Sequence, residues 1–147
     1  MHLVYEMTYT HPQDDRSGIT MIPFDPAYKE QYKKIYNECY HEMREALDIK
    51  PYDFVRDDSF FAKGMDGVFL LSEEDEIIGS VALKDNEIDD LIVNPLYQGR
   101  GYGRKMLLWA LENIGSEDIV LHVAEWNRKA VCLYKKTGFE ITKTIKI

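Results

Sequence analysis

Residues 98–103 read QGRGYG, with glycines at alternate positions and arginine at 100 and again at 104. They follow the apolar stretch LIVNP, separated from it by Leu96 and Tyr97, and lead into RKMLLWALENIG. Glycine weakens the interior of regular elements and is useful where a backbone must bend sharply or be approached closely. Three readings are open: a structural turn, a dinucleotide loop, and a loop that wraps a pyrophosphate. The dinucleotide fingerprint needs G-x-G-x-x-G, whereas here the glycines fall at 99, 101 and 103 and Arg104 follows. The phosphate loop of nucleotide triphosphatases fails too, because no G-K-[ST] occurs. Anion capture fits. Small residues let neighbouring amides point inward together, and a helix start adds unpaired N–H groups and a positive dipole end. Arg100, Arg104 and Lys105 are placed to meet further phosphates.

The bulk properties limit what else the chain can be. Its 147 residues predict one domain, 1–147, long enough to bury a full core. A net charge of −8 argues against non-specific nucleic-acid binding, which wants a basic face. An acidic surface suits a cationic partner, and is also ordinary solubility chemistry. Cys39 and Cys132 form no metal or redox motif, and no metal constellation is present. The start MHLVYEMTYTH lacks a basic n-region with an apolar run, and no apolar stretch is long enough to span a bilayer. The expectation is a soluble cytoplasmic protein without a membrane partner, monomeric or homodimeric.

The elements that must position the loop follow from periodicity and punctuation. HLVYEMTY (2–9) and ITMIPF (19–24) read as strands, separated by a polar loop. Asp25-Pro26 opens a helix that runs to about Leu47, with Tyr32, Ile35, Tyr36, Cys39 and Met43 on one face. A shorter helix is predicted over 53–63. Strands follow at 67–72, 77–84 and 86–93, then the glycines, then a helix stopped by Gly115. A strand at 118–126, a helix at 127–138 with Asn127 at its start and Gly138 past its end, and a strand at 139–147 complete the chain. Hairpins first and β-α-β-α-β later predict an α/β sandwich around a mostly antiparallel sheet with a parallel centre.

The run EIDDLIVNPLYQGRGYGRKMLLWAL, followed by NRKAVCLYKKTGFE, resembles the GNAT superfamily of acetyl-CoA-dependent N-acetyltransferases. Gln98, Gly101 and Gly103 match its Q/R-x-x-G-x-G/A pattern, and Asn127, Ala130, Tyr134 and Gly138-Phe139 match its second half. The likeness covers 67–141, and the N-terminal half only by element order. It implies a mixed, mostly antiparallel central sheet with a parallel splayed centre, flanked by about four helices. It also implies that strands 86–93 and 118–124 part at their ends, so that pantetheine adds to the edge like a short strand. The backbone of Leu91 and Val93 would pair with it. An N–H near Ile92 or Val93 would meet the developing oxyanion. The amides from Gln98 through Gly99, Arg100, Gly101, Tyr102 and Gly103 to Arg104 would hold the pyrophosphate.

Asn127 and Tyr134 lie about two helical turns apart, on one face with Ala130 and Val131. By residue type and position Asn127 reads as a helix N-cap, and the resemblance implies that it is a cofactor contact. The matching tyrosine in the family protonates the departing thiolate, which puts Tyr134 in the role of acid; by residue type alone it is a core aromatic with a solvated tip. The acceptor would be a small-molecule or peptide primary amine. An alkylammonium has a pKa of roughly 10.4, so only about one in a thousand is free at neutral pH. Glu87 aligns with the family's general-base Glu. Asp89 shares its strand face, and Asp90 points the other way unless a bulge intervenes. Glu125 is a further candidate, and these acids also read as a solvated strand end. His122 is a sheet-face residue by its alternation; His41, on the long helix, could line the acceptor pocket.

The chain departs from the family at both ends. Members continue past the strand after GF into one more strand, whereas this sequence stops at Ile147 and begins with an extra strand. Residues 2–9 are therefore expected to fill the missing sheet position, in cis or by exchange, leaving the long helix, DIKPYDF and nearby aromatics to line the acceptor pocket. The reaction implied is direct transfer in a ternary complex, since Cys132 lies off the Asn127/Tyr134 stripe. The rival is a non-catalytic acyl-CoA-binding sensor that keeps the glycine loop and lacks a usable acid and base. An ATP- or NAD-binding domain is a third possibility.

Overall fold

In the computed structural model, residues 2–62, 64–114 and 118–147 are described. Seven strands form a single mixed sheet in the order β2-β3-β4-β5-β6-β1-β7. Their spans are β1 Leu3–Tyr9, β2 Ile22–Pro23, β3 Val68–Glu73, β4 Glu76–Lys84, β5 Glu87–Val93, β6 Val120–Ala124 and β7 Phe139–Lys146. The helices are α1 Lys29–Ala46, α2 Tyr102–Asn113 and α3 Arg128–Thr137. Every described strand pair is antiparallel except β5 and β6.

Strand alternation divides the core between two faces. Leu70, Ile77 and Ile92 pack with Tyr32, Ile35 and Tyr36 of α1. The neighbouring Leu71 and Ile78 pack instead with Met106, Leu107 and Ala110 of α2. Phe24, Phe60 and Phe61 extend the α1 side into an aromatic cluster around Tyr32. Gly79 lets α2 come close, since a Cβ there would stand 2.5 Å from Met106 Cε and 2.7 Å from the Ile92 carbonyl.

Four local expectations are corrected. Three α-helices are present among the described residues rather than about four. The stretch expected as a helix over 53–63 holds only a 3-10 turn, Asp58–Phe61, capped by Asp57 accepting from Ser59 N–H at 2.9 Å. Its aromatics pack on α1 without helical spacing, so nothing propagates the turn. At Asp25-Pro26 the cap is present, with Asp25 accepting from Ala27 N–H at 2.8 Å, but the first turn is 3-10 and α1 begins at Lys29. Of the strand expected over 19–24, Ile22 and Pro23 stand in register with β3 and Phe24 N–H donates to the Val68 carbonyl at 2.8 Å, while proline brings no N–H to a ladder. Lys63 and the expected helix stop at Gly115 lie outside the described residues.

Residues 3–9 fill the sheet in cis, and not at its edge. β1 runs between β6 and β7, antiparallel to both, with Val4 beside Ala124 on one side and Ile145 on the other. Met7 is fully buried in the larger core cluster. Met7→Ala is therefore expected to cost about 2–5 kcal/mol of stability, measured by chemical denaturation, whereas an edge-strand residue would cost far less.

Candidate active site

β5 and β6 pair over only two positions, Glu87 with Val120 and Ile88 with Leu121. Beyond them β5 continues to Val93 and β6 to Ala124 with no rungs between them. Each strand is secured on its far side, β5 by β4 and β6 by β1, so the two can diverge without coming loose. The gap opens into a cleft with two connected ends, of about 260 Å³ and about 390 Å³. Both ends are lined by Tyr40, Met43, Leu91, Asn127 and Ala130.

The larger end is closed by the glycine loop. Gly99 and Gly101 have φ of 78° and 86°, the left-handed region, and a Cβ at either would meet nothing within 4 Å. Gly101 is the N-cap of α2 and supplies no side-chain cap, so the amides of the first turn face the cleft mouth without an intramolecular acceptor of that kind. Gly103 is helical and lines the same end with Gln98 and Tyr102. The basic residues are more occupied than spacing alone suggests. Arg104 pairs with Asp15, Arg100 lies over the Tyr97 ring at 5.3 Å and Lys105 over the Tyr102 ring at 5.5 Å. Gln98 donates from Nε2 to the Val93 carbonyl at 3.0 Å, which also accepts from Cys39 Sγ at 3.1 Å. Leu91, Ile92 and Val93 line the cleft along the free edge of β5.

α3 supplies the next two residues. Asn127 caps it, its Oδ1 accepting from Ala130 N–H at 3.3 Å, while it also lines both ends of the cleft. Two turns on, Tyr134 is buried and faces the smaller end, and its hydroxyl bonds to no described side chain. Burial, with the Asp90 charge adding to it, pushes that phenol up to about 12, so it stays protonated at neutral pH.

The expected carboxylates are distributed unevenly. Glu87 Oε1 accepts from His122 Nδ1 at 2.7 Å when that nitrogen carries the proton, His122 Nε2 lies 3.1 Å from Glu6, and Glu87 does not line the cleft. Asp89 is exposed at the smaller end and carries no side-chain bond to a described residue. Asp90, which plain alternation turns away from Asp89's neighbours, is inside the cleft, with Oδ1 accepting from the Tyr40 hydroxyl at 2.7 Å. Glu125 accepts from the Tyr5 hydroxyl and lies in a separate surface depression with Arg128 and Cys132. His41 is held between Asp53 and Glu45 at 2.8 and 3.1 Å and lines neither end. Of the acceptor-side segments expected to line the pocket, α1 contributes Tyr40 and Met43 and the turn after it Leu47 and Ile49; Val4 and Ile147 complete that wall. Tyr40 and Asp90 are the site residues that periodicity missed.

The acetyltransferase (GNAT) family model matches residues 29–139. This chain belongs to the GNAT acetyltransferase family. The solved structure of an acetyltransferase from the GNAT family of Colwellia psychrerythraea superposes with a TM-score of 0.74 at 10% identity, over 97% of this GNAT chain and 53% of that one, a likeness of fold. The peptidyl-lysine N-acetyltransferase YjaB of Escherichia coli is 33% identical over 72 residues, 49% of this chain and 48% of that protein. The spermidine N(1)-acetyltransferase of Vibrio cholerae is 27% identical over 140 residues, 91% of this chain and 73% of that protein. The chain thus spans about half the length of the first of these two curated relatives. Among the described residues, no helix is long and apolar enough to cross a membrane, and no group of His, Cys, Asp and Glu is arranged to hold a metal ion.

The loop's backbone makes its own demand. Gly101→Ala forces an L-residue to φ 86° and is expected to lower stability by about 1–2 kcal/mol. Gly103→Ala, helical and with its Cβ in ordinary contact at 3.6 Å, should be neutral or slightly stabilising. Urea denaturation of the two variants checks the contrast.

Proposed function

We propose that this protein is an acetyl-CoA-dependent N-acetyltransferase that moves an acetyl group to a primary amine by direct attack in a ternary complex. The observation that carries the reading is the unpaired run of β5 beyond Ile88, continuous with the glycine-headed start of α2. The donor set fits the carrier. The β5 edge beyond the last rung with β6, at Leu91 and the Val93 N–H, suits the amides of a pantetheine arm. The backbone from Gln98 to Arg104, with the positive end of α2, suits a pyrophosphate. When bound, acetyl-CoA supplies the activated acyl group; the rest of the chemistry falls to side chains of this chain.

Tyr134 is the proposed acid. Its protonated hydroxyl donates to the departing sulfur, and because a phenol at about 12 is a weaker acid than a thiol near 8.5, the proton moves only as the C–S bond opens. An N–H of Ile92 or Val93 meets the developing oxyanion. Asn127 holds the start of α3 and touches the carrier. The smaller end of the cleft receives the amine: Asp89 and Asp90 make it acidic, and Val4, Leu47, Ile49 and Ile147 make its wall apolar, which suits an ammonium on an alkyl chain. The relatives act on spermidine and peptidyl-lysine, both primary alkylamines, which supports that class. A β5 carboxylate takes the proton from the ammonium; Glu87 and Asp89 are the candidates by sequence. Direct attack is favoured over an acyl-enzyme, because burial pushes the Cys39 thiol up to about 11 and Cys132 lies outside the cleft.

Titration of acetyl-CoA by calorimetry, followed by thiol release over a panel of primary amines, tests the proposal. Tyr134→Phe is expected to lower kcat by about 10²–10⁴-fold with acetyl-CoA affinity retained. Tight binding with no turnover on any amine would make the protein a sensor instead.

A further inference from the structure

The side chains along β5 change faces partway along the strand. Ile88 packs in the α2-side core and Ile92 in the α1-side core, although an even spacing should keep both on one face. The pairing with β4 explains it. Leu83 stands opposite Ile88 and Ala82 opposite Asp90, so Asp89 has no partner: it is a bulge. From Asp90 onward the strand presents the other set of side chains to α1. Both carboxylates line the smaller end of the cleft, but the bulge leaves Asp89 exposed and turns Asp90 toward Tyr40 of the long helix.

We infer that Asp90, held by the Tyr40 hydroxyl, is the carboxylate that removes the proton from the acceptor ammonium. This rests on the acetyltransferase reading and names a residue within it. Tyr40 fixes one oxygen at 2.7 Å, and the second makes no hydrogen bond to a described residue. Asp90 shares the smaller end of the cleft with Tyr134, so acid and base flank one space from α3 and β5. Glu87, in contrast, is engaged by His122, which is also held by Glu6.

The groups around Asp90 suit the task. Tyr32, Tyr36 and Tyr40 face it from α1 and Tyr134 from α3; Asp89 and Glu87 neighbour it on β5, and His122 lines the same cavity from β6. No Lys, Arg or His of the described residues pairs with it. Burial raises its pKa, Asp89 and Glu87 add to that, and the Tyr40 hydrogen bond opposes it. A raised pKa brings a carboxylate closer to neutrality, where a base is most effective. A carboxylate without a cationic partner also attracts an incoming ammonium.

The balance closes. Asp90 takes one proton from R–NH₃⁺ and releases it to solvent. The nitrogen lone pair forms the C–N bond, the C–S bond breaks, and sulfur takes the Tyr134 proton. The second nitrogen proton, lost as the amide forms, restores the Tyr134 phenol. Amine and thioester become amide and thiol with one proton released.

The test is the pH dependence of kcat/KM for wild type, Asp90→Asn, Glu87→Gln and Tyr40→Phe, with spermidine and butylamine as probes. Asp90→Asn is expected to lower kcat/KM by about 10²–10⁴-fold and to abolish the acidic limb belonging to the carboxylate, with acetyl-CoA affinity by calorimetry unchanged. Activity rises with pH as Asp90 ionises; Tyr40→Phe, which removes a hydrogen bond favouring the ionised form, shifts that limb to higher pH. That shift is an independent readout if Asp90→Asn fails to fold, and its absence counts against the assignment. An active Asp90→Asn beside an inactive Glu87→Gln overturns it while leaving the acetyltransferase reading intact. A wild type that binds acetyl-CoA and acetylates no amine overturns both.

Discussion

Two neighbouring parallel strands stop pairing after two rungs, and the site depends on that separation. Backbone N–H and C=O groups inside a fold are normally paired, since leaving them unpartnered is costly. Here the inner edges of β5 beyond Ile88 and of β6 beyond Leu121 are withheld from each other. The divergence is stable because neither strand relies on the other: β4 holds β5 along its length and β1 holds β6. The unpaired groups form an open edge, and the space between the strands becomes the cleft.

Local irregularities then aim the chemistry. Positive φ at Gly99 and Gly101 turns the chain from β5 into α2 with its first amides toward the cleft mouth. The bulge at Asp89 changes which residues face α1. Asn127 starts α3 where its second turn carries Tyr134 into the cleft.

What the sequence made legible was what short-range rules encode. Alternation and punctuation located every strand except the one expected over 19–24 to within a residue or two, and the Asn127-to-Gly138 helix carried both of its end signals. The glycine loop was legible because turn chemistry leaves a compositional trace. The face of Asp90 was not, because the bulge involves Asp89, an ordinary L-residue with no glycine to announce it. Nor were the partners of Arg104 and Glu87. Asp15 comes from a loop far upstream, and Glu87 is met through His122 by Glu6 of the first strand. Such contacts depend on how distant elements meet, which periodicity does not record. Residues 53–62 failed for a related reason: their aromatics are spaced to fit around Tyr32 and Tyr36, not to form a helical stripe.

The placement of β1 inside the sheet, between β6 and β7, has a consequence for biogenesis. Its rungs join residues 3–9 to β6 and to β7, contacts between segments far apart along the chain. Closing a loop of such length costs roughly 4 kcal/mol of chain entropy before any rung repays it, and folding slows as contacts become less local. During synthesis β1 must wait unpaired until β6 has left the ribosome. Only then can β6 be clamped from its outer side, so the cleft is among the last features of the molecule to take shape.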